Sequence, residues 1–248
     1  MNWTWFHKLS SPPHFHRFAR RWTPWMECAA AALVVYGLIG GLILAPPDYQ
    51  QGEVYRIIYV HVPAAWLSLA LYSGMAVAGL IVLIWRVKLA ECALISIAPV
   101  GASFTALALA TGMLWGKPTW GAYWVWDARL TSELVLLFLY LGVIALHGAM
   151  SEPRAAARAA ALLAVVGWVN VPIVRYSVDW WNSLHQTSSI TLLGKPTLDA
   201  SMLWPLFGMA LGLTLFSAAN VMRRMQAENV RRNARQRWVR EQLEAPHV

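Results

Sequence analysis

Six long apolar runs divide this 248-residue chain and constrain its fold more than any other feature. A helix needs about 20 apolar residues to cross the hydrocarbon core of a bilayer, and each run can cross if flanking side chains reach the interface. Hydrophobic residues make up 58% of the chain and charged residues 13%, which excludes an ordinary soluble domain. The runs cover residues 25–45, 60–84, 94–115, 134–150, 159–174 and 202–222.

The fifth run is the weakest of the six as a membrane span. It carries Asn170 and Pro172 near one end, where the amide and a freed backbone carbonyl need a neighbouring helix as hydrogen-bond partner. With that partner supplied, the pattern predicts an all-α integral membrane protein with six transmembrane helices. A membrane domain over residues 25–222 would then lie between tails at 1–24 and 223–248.

Lysine and arginine are distributed unequally between the two sides of this arrangement. The side that holds both termini carries 15 of the 20 basic residues, and the other side carries five. The positive-inside rule therefore predicts that both termini are cytoplasmic. The net charge of +8 is then a topology signal rather than a sign of nucleic-acid binding, and the basic C-terminal tail is predicted to lie along the inner surface and bind anionic lipid. The external segments are 46–59, 116–133 and 175–201.

The second external segment is unusually aromatic. Residues 115–127 contain four tryptophans and one tyrosine and end in Asp127. Tryptophan is common at both interfaces of any membrane protein, so a single one would indicate only an interfacial belt. Eight of the 15 tryptophans map to this end, however, which is enough for a continuous apolar platform of planar rings. The eight are Trp66, Trp115, Trp120, Trp124, Trp126, Trp180, Trp181 and Trp204.

Only two of the seven histidines, His61 and His185, map to the external side, and each lies near tryptophan in the sequence. A single interfacial histidine is usually no more than a hydrogen-bonded side chain. Two of them beside indole rings indicate a haem site, because imidazole is a strong axial ligand for haem iron and indole offers a flat apolar surface. We therefore predict that His61 and His185 bind one haem.

A haem also requires cations for its two propionates. The external basic residues closest in sequence to the aromatic and histidine segments include Arg56 and Arg129, and an arginine fork suits a carboxylate. An alternative for Arg129 is a helical ion pair with Glu133, four residues along the chain. Both interpretations stay open at this point.

Other functional classes have little support in the sequence. Residues 112–117 read GxxxGK, one residue short of a phosphate-binding loop, so the chain offers no ATPase motif of its own. A small-solute secondary transporter would need ionisable residues in the middle of the membrane, which the spans mostly lack. A structural subunit that uses the aromatic loop to dock partners is the remaining alternative.

Three segments together resemble a known family. Residues 120–133, WGAYWVWDARLTSE, resemble the tryptophan-rich "WWD" signature of membrane haem-handling proteins. Residues 55–63, YRIIYVHVP, and 180–186, WWNSLHQ, are similar to haem exporter protein C (CcmC) of bacterial cytochrome c maturation. The resemblance covers about residues 25–222. One departure is Tyr123, where close relatives often have tryptophan.

The resemblance implies a multi-pass protein of the bacterial inner membrane that carries haem b transiently as cargo on its periplasmic face. Its expected partners are the periplasmic haem chaperone CcmE, the small subunit CcmD, the ATPase CcmA and the membrane protein CcmB. Asp127 is expected to fix the loop or engage the chaperone rather than ligate iron. The resemblance implies that His61 and His185 are the axial ligands of the haem. The other haem-binding residues that the resemblance implies are Trp115, Trp120, Trp124, Trp126, Asp127, Arg56 and Arg129.

Overall fold

The computed structural model describes residues 11–181, 183–185 and 198–244, with side chains described as far as residue 240. Eight α-helices make up most of this part of the chain. A π-helical turn extends the first helix, and a 3₁₀ turn leads into the second. The α-helices are α1 (Pro12–Ile39), α2 (Ile58–Trp85), α3 (Lys88–Trp120), α4 (Ala128–Ala149), α5 (Pro153–Gly167), α6 (Asn170–Trp180), α7 (Ala200–Arg232) and α8 (Arg237–Glu244).

Six helical segments are long and apolar enough to cross a membrane, which confirms the predicted fold class. They run over Pro12–Leu44, Glu53–Trp85, Lys88–Trp120, Ala128–Ala149, Pro153–Trp180 and Ala200–Arg232. Each predicted run coincides with one segment, but several helices extend past it. In α7 the helix continues ten residues beyond the run that ends at 222, so much of the predicted C-terminal tail is the end of a membrane helix.

Small residues let these helices approach closely. A Cβ atom at Gly37 of α1 would lie 2.9 Å from the Cβ of Met209 in α7, and one at Gly208 would lie 2.6 Å from the ring of Tyr36. Glycine on both partners therefore sets the α1–α7 contact. Close packing of this kind drives helix association in lipid, because lipid tails are as apolar as the helix surfaces and no hydrophobic effect pushes the helices together.

A buried core joins α2, α3 and α4. Tyr140 of α4 is fully buried, and its hydroxyl donates to the carbonyl oxygen of Ser68 in α2 at 2.7 Å. Its ring occupies space left by Gly101 of α3, where a Cβ would lie 2.2 Å away. This contact fixes the three helices about two turns from His61.

The fifth segment, the weakest of the predicted spans, is divided into two helices. Helix α5 ends at Gly167 and α6 begins at Asn170, whose side-chain amide donates to the carbonyl oxygen of Ser132 in α4 at 2.9 Å. The neighbouring helix thus supplies the partner that the polar residue requires in the membrane.

Three helices begin with an acidic cap. Asp127 caps α4, Glu152 caps α5 and Asp199 caps α7, each by accepting a backbone N–H of the first turn. Backbone hydrogen bonds from Arg154 lower the pKa of Glu152, and the hydroxyl of Ser201 lowers the pKa of Asp199.

The external segments are shorter than predicted. Helix α3 continues to Trp120 and ends against Gly121, which adopts φ +79°, and α4 starts at Ala128. Only 121–127 are non-helical, so Trp120, Trp124 and Asp127 do not share the face that a continuous helix would give them. The residues between 185 and 198, including Lys195, lie outside the described residues.

The second span begins earlier than the predicted run at residue 60, because α2 starts at Ile58, directly after the 3₁₀ turn Glu53–Ile57. Pro63 is therefore in the second helical turn and His61 in the first, with the 3₁₀ turn leading the chain into the helix.

Candidate haem site

A groove opens at the end of the bundle where α2, α3 and α4 meet. It encloses about 650 Å³ of space, part of it open to the outside. Five of the nine predicted haem-binding residues line this groove, namely His61, His185, Trp115, Trp120 and Arg129. The other lining residues are Ala65, Ala108, Leu109, Gly112, Thr119, Leu130 and Glu133.

The two histidines face each other across the groove although 124 positions separate them in the sequence. Their ring centroids lie 6.4 Å apart, and the ring planes make an angle of 33°. When two imidazoles ligate one metal ion, their ring centroids are separated by two metal–nitrogen bonds of about 2 Å each and by the distance from each nitrogen to its ring centre. Together these give a centroid separation of about 6 Å. The pair is therefore spaced to ligate one metal ion from opposite sides.

His61 is held firmly in the first turn of α2. The side chain is buried, and its Nδ1 lies 2.9 Å from the hydroxyl oxygen of Thr111 in α3. That hydroxyl donates its only hydrogen to the carbonyl oxygen of Leu107 at 2.7 Å, so it accepts from Nδ1–H. The tautomer with a lone pair on Nε2 follows, and this is the form that binds a metal.

His185 lies in a non-helical segment and is held differently. Its backbone N–H donates to the hydroxyl oxygen of Ser183 at 3.0 Å, and that hydroxyl donates to Oδ2 of Asp127. The other oxygen of Asp127 accepts the N–H of Leu130 at 2.8 Å as the cap of α4. Asp127 therefore fixes the segment that carries His185 and does not line the groove.

Trp115 and Trp120 form the aromatic walls. The ring of Trp115 meets His61 edge-on at 5.5 Å, and Trp120 lies 6.3 Å from His185. The indole N–H of Trp115 donates to the side-chain oxygen of Gln51 at 2.7 Å, which fixes the ring against His61.

The remaining tryptophans of the loop lie outside the groove lining. Trp124 and Trp126 pack edge-on at 5.3 Å, and Trp126 is 78% exposed. Trp180 and Trp181 are also exposed. The predicted continuous platform is thus divided into an inner pair at the groove and exposed rings outside its lining; we use the name outer aromatic surface for the exposed rings Tyr123, Trp126, Trp180 and Trp181.

The two predicted arginines differ in position. Arg129 lines the groove, and its Nη1 donates to the carbonyl oxygen of Val174 at 3.0 Å. No ion pair joins it to Glu133 within the described ranges, contrary to the helical pairing considered above. Arg56 instead pairs with Glu53 and donates to the carbonyl oxygen of Gly41 at 2.9 Å, so it is not brought to the groove lining.

Sequence reasoning missed several residues that shape the site. Thr111, Gln51 and Ser183 orient the predicted residues through contacts between distant segments. Glu133 was considered only as a partner for Arg129, yet it is a buried groove-lining acid whose Oε1 has no hydrogen-bond partner among the described residues. For Thr111 the one available signal was a polar residue inside an apolar run, whereas Glu133 lies just before the run at 134–150 and carried no such signal.

The chain is similar to known proteins along almost its whole length. The family model described as CcmC, Heme exporter protein C, matches residues 5–240. The chain belongs to the Heme exporter protein C family. Within that family it is 48% identical to Heme exporter protein C of Escherichia coli strain K12 over 239 residues, which cover 96% of each chain.

Two further relatives extend the comparison. Heme exporter protein C of Haemophilus influenzae is 44% identical over 239 residues, which cover 96% of this chain and 97% of the relative. A ccmC-like mitochondrial protein of Marchantia polymorpha, whose name refers to cytochrome c biosynthesis, is 48% identical over 164 residues, or 66% of this chain and 69% of the relative.

Proposed function

We propose that this chain exports haem for cytochrome c biogenesis by binding it in the groove and delivering it to the chaperone CcmE. The observation that carries the proposal is the histidine pair, whose 6.4 Å ring separation accommodates one iron between two imidazoles. The names of the family and of its relatives support haem as the cargo.

The groove supplies each type of contact that a haem requires. His61 and His185 would ligate the iron, and Trp115 and Trp120 would pack beside the macrocycle. Arg129 lines the groove and suits a propionate, because Nη1 donates to the carbonyl oxygen of Val174 and the guanidinium fork has further N–H groups. The cargo is haem b, held by ligation and not by a covalent bond.

The charge distribution supports the orientation. The groove lies at the end of the helices that carries few basic residues, so the positive-inside rule assigns it to the periplasmic side of the inner membrane, with both termini in the cytoplasm. In this orientation the groove faces the compartment in which c-type cytochromes are assembled.

We further propose that the chain works in a complex with CcmA, CcmB and CcmD. ATP hydrolysis would belong to CcmA, and this chain would act as a binding and delivery subunit rather than as an enzyme. The outer aromatic surface lies beside the groove and suits the docking of CcmE, because exposed aromatic rings are typical anchors of protein interfaces.

The test is the optical spectrum of the purified full-length chain in detergent, with and without added haem. We expect a low-spin Soret spectrum that disappears in the variant with both His61→Ala and His185→Ala. His147→Ala, which removes a histidine near the opposite end of α4, is the matched control and should leave the spectrum unchanged. An intact low-spin spectrum in the double variant would overturn the ligand assignment, and a wild-type chain that binds no haem but binds its partners would favour a structural subunit.

A further inference from the structure

The segment that carries His185 lacks the support that a helix gives His61. Residues 183–185 form bends rather than a helix, and α6 ends just before them at Trp180. A ligand on such a segment must be oriented by other contacts if it is to meet an iron opposite His61. The backbone N–H of His185 has such a contact in the side chain of Ser183.

The hydroxyl of Ser183 is used in both directions. Its hydrogen goes to Oδ2 of Asp127, and its oxygen accepts the N–H of His185 at 3.0 Å. A serine hydroxyl has one hydrogen and two lone pairs, so both contacts form together without conflict. The bond to a carboxylate is of the stronger, charge-assisted kind.

Asp127 anchors this chain of contacts to the bundle. Its Oδ1 caps α4 through the N–H of Leu130, and α4 two residues later contributes Arg129 to the groove. Asp127 therefore connects His185 to the same helix end that presents Arg129 to the groove. Ser183 contacts both Asp127 and the backbone N–H of His185, and so joins the ligand residue to this helix end.

We propose that Ser183 is a positioning residue for the iron ligand His185, acting by linking its backbone to the α4 cap Asp127. The proposal rests on the proposed function, since it presupposes that His185 ligates haem iron. The two ligands are then held differently: His61 lies on a helix and contacts Thr111, whereas His185 lies outside a helix and its backbone contacts the hydroxyl of Ser183. His185 is then the ligand that dissociates more readily.

Carbon monoxide provides the test, because it binds six-coordinate ferrous haem only after one histidine has left the iron. The experiment compares the rate of carbon monoxide binding and the spin state of the full-length chain loaded with haem. Ser183→Ala should accelerate binding about tenfold, the factor that matches the loss of one hydrogen bond, and should increase the high-spin fraction. Ser183→Thr keeps the hydroxyl and should restore the wild-type rate.

Ser201→Ala is the matched control. Ser201 donates to the α7 cap Asp199 as Ser183 does to Asp127, but no histidine follows it. Its removal should leave rate and spin state unchanged. A Ser183→Ala variant with wild-type kinetics and a fully low-spin spectrum would overturn the proposal while leaving the proposed function intact. A wild-type chain without a bis-histidine spectrum would instead refute the proposed function.

Discussion

The two histidines of the groove are held in place by different kinds of contact. His61 is part of a membrane helix and is fixed through its ring by Thr111, whereas His185 follows the end of α6 and is fixed through its backbone by Ser183. A ligand fixed on a helix provides a permanent attachment point. A ligand outside a helix is expected to leave the iron more readily than a ligand on one.

The aromatic residues repeat this division. Trp115 lies against His61 and is fixed by Gln51, while Trp120 ends α3 beside His185. On the side of His61, the aromatic ring thus has a side-chain partner of its own. On the side of His185, the contacts come from the non-helical residues 183–185 and from the loop that ends at Asp127.

The largest expected effect separates the two ligands directly. His61→Ala should remove nearly all bound haem. The haem affinity should fall by more than the about 10–100-fold that follows when a metal ligand loses its hydrogen-bond partner. His185→Ala should retain haem as a five-coordinate, high-spin species. Haem content per protein after gel filtration checks both, and equal losses in the two variants would contradict the asymmetry.

Removing the partner of His61 should have the next largest effect. Thr111→Val removes the hydroxyl that accepts from the Nδ1–H of a buried imidazole and should lower haem affinity about 10–100-fold, and Thr111→Ser should restore it. Thr105→Val is a matched control on the same helix, since the hydroxyl of Thr105 donates to the carbonyl oxygen of Gly101 within its own helix. Titration with haem measures the affinities; an unchanged value for Thr111→Val would refute the role of the hydroxyl.

Asp127→Ala acts on the other side of the groove. It removes a helix cap worth about 1 kcal/mol and also the partner of Ser183, so stability should fall by that amount and the high-spin fraction should rise. Asp199→Ala removes a cap without a ligand link and should leave the spin state unchanged. Thermal unfolding measures the loss of stability, and the optical spectrum measures the spin state. If Asp127→Ala lowers the stability but leaves the spin state unchanged, the loop does not position His185.

The smallest effect on haem binding is expected at the outer aromatic surface. Trp126→Ala should leave the Soret spectrum unchanged, because this ring does not line the groove, but should weaken binding of CcmE about tenfold or more. Trp85→Ala removes an exposed tryptophan at the other end of the bundle and should alter neither. Co-purification with CcmE measures the difference, and a changed Soret band in Trp126→Ala would place this residue at the haem instead.

The sequence predicted the six helices and the histidine pair because both depend on local signals. Apolar runs of sufficient length define the spans, and the basic residues assign His61 and His185 to one side. Helix ends were predicted less well, since the end of α3 is set by Gly121 and not by the end of an apolar run.

Contacts between distant segments could not be predicted from spacing. Thr111 lies 50 positions from His61, and Ser183 lies 56 from Asp127, so no periodic pattern connects them. Arg56 shows the opposite case. Its proximity in sequence to His61 suggested a haem contact, but the 3₁₀ turn directs it to Glu53 and Gly41.

The central claim is that His61 and His185 ligate the same iron, and electron paramagnetic resonance of the ferric, haem-loaded chain tests it most directly. The imidazole planes meet at 33°, closer to parallel than to perpendicular, which predicts a rhombic low-spin signal. Each single alanine variant should convert that signal to high spin in whatever haem remains bound. A low-spin signal that survives unchanged in His185→Ala would contradict the account.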